Sequence, residues 1–203
     1  MTKGGHAMGD DDQLALARDP ATIAKAVRDE IAVPTGAYSG DHTTVNNFLK
    51  YVQAELNRLP LLTVDHSVFD SYGSGYASFV ELCLTKRDGS AREVSADSTT
   101  TTYLPLTISR LAPFAALHDL DNRTTRPDGT GGRGLPHLEA VATPPIPGWQ
   151  EELRQLHQAL THLNITLLDL PTLSTPIAPA HTLQTNLGDH PYRVYDAWFH
   201  WMD

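Results

Sequence analysis

Five of the fifteen aromatic residues of this chain, Tyr192, Tyr195, Trp198, Phe199 and Trp201, fall within its last twelve positions. Each such ring buries about 150–250 Å² when packed, so a segment this rich in apolar surface does not read as a solvated tail. The C-terminal block is expected to be core, or core with one side left as a contact surface. As a strand it would set Val194, Trp198 and Met202 on one side and Tyr195, Phe199 and Trp201 on the other. Its dense apolar pattern fits a helix equally well. Aromatic patches left uncovered mark protein contacts, which makes Tyr195, Trp198, Phe199 and Trp201 the candidate partner-binding residues.

Upstream, the punctuation predicts helices first and strands second. Asp19 before Pro20 is a helix-start signal, with Ile23, Val27 and Ile31 following at four-residue steps until Pro34 and Gly36. A second amphipathic helix starts near Asp41 to Thr44 and places Val45, Phe48, Leu49, Val52, Leu56 and Leu59 on one stripe before Pro60. Strands are expected at Ser67–Tyr72 and Tyr76–Thr85, where Val80, Leu82 and Leu84 alternate with Phe79, Glu81 and Cys83. Asp88-Gly89 signals a reversal, with Arg92 to Ser95 pairing back across it. The threonine run Thr99–Thr102 leads into another strand through Leu111, and Pro105 within it suggests an edge or a bulge. Trp149 to Leu163 reads as a later helix and Ile165 to Leu168 as a short buried strand.

These elements predict an α+β fold: two N-terminal helices, an antiparallel sheet of three to five strands, one later helix and the aromatic C-terminal element. A length of 203 residues suits one core better than two, so residues 1–203 are read as a single domain. Residues 1–12 are expected to be flexible, and residues 118–148 form a long Gly/Pro-rich loop of the kind that carries function. The one cysteine, Cys83, excludes an intrachain disulfide and a multi-cysteine zinc site, which suits a cytoplasmic setting. The N-terminus shows no secretory signal and no apolar run approaches the length of a membrane span. A net charge of −9 opposes attraction to nucleic acid and to anionic membranes, and favours a basic partner.

The motifs that suggest chemistry each lack part of their context. Gly129-Thr130-Gly131-Gly132-Arg133-Gly134 matches a dinucleotide-binding pattern, yet polar turn formers precede it and Pro136 interrupts the helix it needs. Gly73-Ser74-Gly75 resembles half of a nucleophile turn, with Tyr72 in place of the first glycine. His157 and His162 are five apart on a predicted helix and do not share a face. His118, Asp119 and Asp121 are the tightest set of candidate metal ligands. The pairs Asp41-His42, Asp65-His66 and Asp189-His190 are adjacent in sequence, which in a strand points their side chains apart. Arg123, Arg126 and Arg133 give the long loop a local positive patch. Cys83, with no basic residue adjoining it on its strand face, reads as a small buried strand residue.

The expected function is a non-catalytic cytoplasmic protein-binding module, an adaptor or an immunity-type inhibitor, whose acidic surface meets a basic protein; self-association into a homodimer is a further option. No cofactor is expected. The alternative from another class is a small metal-dependent hydrolase using His118, Asp119 and Asp121 with a divalent ion. A third reading is a small-ligand carrier with a pocket between sheet and helices.

Overall fold

The computed structural model describes residues 10–69, 76–128, 131–132, 134–178, 183, 185 and 191–202. The expected α+β class is the one observed, with three helices ahead of the sheet instead of two. Helix α1 (Asp10–Arg18) combines good helix formers with Asp11 and Asp12 in its first turn and Arg18 in its last, which suits the helix dipole. It takes in residues 10–12 of the segment read as flexible; residues 1–9 lie outside those described. Helices α2 (Pro20–Ala26) and α3 (His42–Leu56) are capped in the same way. Asp19 accepts the Thr22 N–H at 2.8 Å and the Thr22 hydroxyl at 2.6 Å, and Asp41 accepts both from Thr44 at 2.8 Å. Helix α2 stops well before Ile31, since the chain turns at Asp29 through a left-handed φ of 58°.

The strands follow: β1 (Leu62–Val68), β2 (Tyr76–Ala77), β3 (Phe79–Lys86), β4 (Arg92–Val94), β5 (Thr99–Ser109), β6 (Phe114–Leu117), β7 (Asp121–Thr125) and β8 (Gly131–Gly132). Then come α4 (Gln150–His162), β9 (Thr166–Leu167), α5 (Leu170–Leu173), α6 (Val194–Trp198) and β10 (Trp201–Met202). The main sheet has eight strands among the described residues, more than the three to five expected, while β2 and β10 pair separately. Its pairing is antiparallel except for β9, which runs parallel to β6.

Strand β5 is the axis. Its first half pairs with β4 and β7, and its second half with β3 and β6. Strands β3 and β4 therefore lie along the same side of β5. The turn at Asp88-Gly89 is an excursion between them, and the reversal expected there occurs at Ser95–Ser98, where the Ser95 N–H meets the Ser98 carbonyl at 2.9 Å. Pro105 sits inside this central strand, neither at an edge nor at a bulge. Its carbonyl accepts from the His118 N–H at 2.9 Å, at the gap between β6 and β7, where the missing proline N–H interrupts no ladder pair. Within 118–148, read as loop, β7, β8 and a 3₁₀ turn at Leu138–Ala140 supply regular structure, anchored by the Asp119 N–H on the Ala140 carbonyl at 2.7 Å.

The sheet has helices on both faces. On the first face Val80, Leu82, Leu84, Leu104, Leu106 and Ile108 pack against the apolar stripes of α3 and α4. On the second, Phe79, Phe114 and Ala116 meet Ala17 of α1, Ile23 and Ala26 of α2, Leu173 of α5 and the buried block Val194–Phe199. The C-terminal aromatics thus form both a helix and a strand. Trp198 is fully buried, edge-on to Phe114 at 4.9 Å, and its Nε1–H donates to the Ala17 carbonyl at 3.0 Å. Ser78 pins the segment that follows: its Oγ accepts the His200 N–H at 2.9 Å and lies 3.0 Å from the Trp198 carbonyl. The His200 ring reaches the Asp29 carboxylate at 2.7 Å.

Candidate functional site

The second face of the sheet carries a buried polar row beside its apolar patch. Glu81 of β3 lies opposite Thr107 of β5, which lies opposite Ala116 of β6, and His118 follows just beyond the end of β6. Glu81, Thr107 and His118 are each at most 1% exposed. The Thr107 hydroxyl contacts the Ala116 carbonyl at 3.3 Å and His118 Nε2 at 3.2 Å. The direction of the link between the Thr107 hydroxyl and His118 Nε2 follows the imidazole tautomer. Among the described residues Nδ1 has no hydrogen-bond partner, nor does the Tyr195 hydroxyl, whose ring stands edge-on to His118 at 6.0 Å.

Burial is the main force on these groups. It pushes His118 down to about 4, with His137 adding to the effect and the His137 backbone opposing it. It pushes the Tyr195 phenol well up, reinforced by the carboxylates of Asp196, Glu81 and Glu139. Asp196 is raised by burial and partly restored by the Arg193 N–H that it accepts at 2.7 Å. Near pH 7 the imidazole and the phenol are both neutral. Neither is matched to proton transfer at that pH.

The residues proposed as metal ligands have different surroundings. His118 is buried with Nε2 engaged, the Asp119 side chain is exposed, and Asp121 accepts the Tyr103 hydroxyl at 2.8 Å. Among the described residues no three His, Cys, Asp or Glu side chains are grouped to hold an ion. Of the dinucleotide pattern, Gly131 and Gly132 pair in β8 with β7, while Gly129 and Thr130 lie outside the described residues. Gly73-Ser74-Gly75 lies outside the described residues, as do Asp189, His190 and Arg133. Asp41 is a helix cap, and Asp65 pairs with Arg92 and lies 3.8 Å from Arg123. Cys83 is buried and outside any disulfide, but the neighbouring strand sets His66 directly opposite it, because β1 shifts register at Asp65. That bulge left no trace in the alternation of β1.

Of the four aromatic residues proposed for a partner, Tyr195, Trp198 and Phe199 are at most 1% exposed and serve the second core. Trp201 alone keeps part of its surface. The buried aromatics face Phe79, Phe114 and His118.

A cleft of about 590 Å³ opens where α1, the 3₁₀ turn Gly36–Ser39, α4 and β9 meet. Leu160, Leu163, Ile165 and Leu167 give it an apolar wall, and Tyr38 and Phe48, edge-on at 6.0 Å, close one end. Gln13, His157 and Asp169 are its main polar side chains. The Gln13 Oε1 atom is buried with no hydrogen-bond partner among the described residues, while Asp169 caps α5 through the Thr172 N–H at 2.9 Å. The last turn of α4 is drawn in by the Asn164 and Ile165 N–H groups, which return to the Thr161 and Leu160 carbonyls at 3.0 and 2.9 Å. Asn164 adopts a left-handed φ of 56° to make this turn.

No protein-family model matches the chain, and no curated protein or solved structure is similar to it.

Proposed function

We propose that this protein is a small-ligand-binding protein whose site is the cleft between α1, α4 and β9. The observation that carries this reading is the composition of the cleft: an apolar wall, two aromatic rings and a few polar side chains, in a volume within the usual range for small-molecule sites. The buried row Glu81, Thr107 and His118 is read as a structural network, since His118 is neutral at pH 7 and enclosed beneath Tyr195. A cytoplasmic setting goes with the single cysteine outside any disulfide. Among the described residues no helix is long and apolar enough to cross a membrane.

A basic protein partner is the second reading, supported by the net charge of −9 and the part-exposed Trp201 on β10. It ranks below the cleft because Tyr195, Trp198 and Phe199 lie inside the second core.

Native mass spectrometry of freshly purified protein tests the ligand reading. The expected result is a non-covalent organic adduct that disappears from Thr161→Trp, a substitution that projects an indole from an exposed position on the rim. An adduct that survives this change, or a bare chain under conditions that preserve weak complexes, would count against the cleft.

A further inference from the structure

The electrostatics of the cleft point to the class of its ligand. No Lys or Arg lines it among the described residues. Its titratable side chains are Tyr38, His157 and Asp169, and the Tyr38 hydroxyl is turned inward onto the Ser109 carbonyl at 2.7 Å. Asp169 stands at the rim, and only its Oδ1 is used in capping α5. The C-terminal end of α4, a 13-residue helix, opens onto the same space through Leu160, Thr161, Leu163 and Asn164. That end carries the negative pole of the helix dipole. Carboxylate and dipole therefore act with one sign, beside the apolar wall and the Tyr38–Phe48 pair.

We infer that the cleft takes a small amphipathic organic cation: a primary amine on a flat apolar body, with the ammonium at the Asp169 rim and the body against Leu160, Ile165 and Leu167. Ring faces at Tyr38 or Phe48 add a cation–π contribution where the ammonium approaches them. This inference rests on the ligand-binding reading of the same cleft, and the test separates the two.

Isothermal titration calorimetry of the full chain uses tryptamine as the cationic probe and tryptophol, its neutral hydroxyl counterpart, as the control. Tryptamine is expected to bind about fivefold more tightly than tryptophol, the scale of one exposed charge pair acting with a helix terminus. Asp169→Asn is expected to weaken tryptamine by about threefold and to leave tryptophol unchanged, since asparagine still caps α5. Equal or tighter binding of tryptophol overturns the inference and leaves the cleft reading standing. An Asp169→Asn variant that weakens both probes alike while unfolding at the wild-type denaturant midpoint also overturns it. If neither probe binds, the cleft reading falls and this inference with it.

Discussion

The two faces of the sheet are buried to the same depth by different chemistry. The first presents Val80, Leu82, Leu84, Leu104, Leu106 and Ile108 to two amphipathic helices. The second sets Glu81, Thr107, Ser109 and His118 among Phe79, Phe114 and the C-terminal aromatics. An aliphatic face gains from every methylene removed from water, about 0.8 kcal/mol each, and tolerates repacking of similar volume. A mixed face gains less per unit area, because each buried polar atom must find a partner. What it gains is definition: Trp198 Nε1 on Ala17 and Ser78 on residues 198 and 200 fix how the C-terminal segment sits, and Thr107 on His118 ties β5 to the end of β6. The contrast teaches that burial alone does not say how a core is held.

The largest test of this contrast is Trp198→Ala, which removes the side chain that joins the apolar patch of the second face to α1. It should lower stability by about 3–5 kcal/mol in denaturant unfolding. A loss no greater than about 1 kcal/mol would mean that the second face is not a core in its own right.

The pH response comes next. His118 is held near 4 in the fold against an ordinary value of 6.5, so the folded state disfavours its protonation. Its contribution is complete above about pH 6.5 and is lost as pH falls towards 4, a change of about 3 kcal/mol. Stability profiles of the wild type and His118→Leu should therefore diverge in slope across that window. Parallel profiles would show that His118 is no more buried in practice than an exposed histidine.

Thr107→Val keeps the shape of the side chain and removes its hydroxyl. Stranding His118 Nε2 should lower stability by about 1–3 kcal/mol, while Leu106→Met on the first face should lower it by less than about 1.5 kcal/mol. Combining Thr107→Val with His118→Leu should recover part of the loss, because both partners are then apolar. Strict additivity in this double-mutant cycle would break the link between the two residues. The smallest effect is expected at Trp201, packed at the margin of the second core: Trp201→Ala should lower stability by about 1 kcal/mol.

The sequence made the first face easy to read. The stripe Val45, Leu49, Val52 and Leu56 is reproduced by burial residue by residue, and Val80, Leu82 and Leu84 share one core, although Phe79 to Thr85 are all buried because both faces of the sheet are covered. Helix caps at Asp19 and Asp41 were equally local, since the carboxylate reaches only three residues ahead. Features that depend on how distant segments meet were hidden. The register shift at Asp65 that sets His66 opposite Cys83 depends on β3, and the place of Pro105 depends on the gap between β6 and β7. The C-terminal block was legible as apolar, but its burial depends on Ala17 and Phe114 far upstream. The cleft was least visible of all: its walls come from α1, the Gly36–Ser39 turn, α4 and β9, and no motif links Gln13 to Asp169.

The joining of Val194–Phe199 to Ala17 and Ile23 has a consequence in time. A chain is made from its N-terminus, and among the described residues the first core draws on nothing beyond Leu167, so it can assemble while later residues are still to come. The second cannot close until residues 194–199 exist. Until then the surfaces of Phe79 and Phe114 that Phe199 and Trp198 meet remain open, and Ala17 waits for Trp198, 181 residues later in the chain. The interval between the two closures is when the nascent protein is most exposed to mispairing and to chaperones.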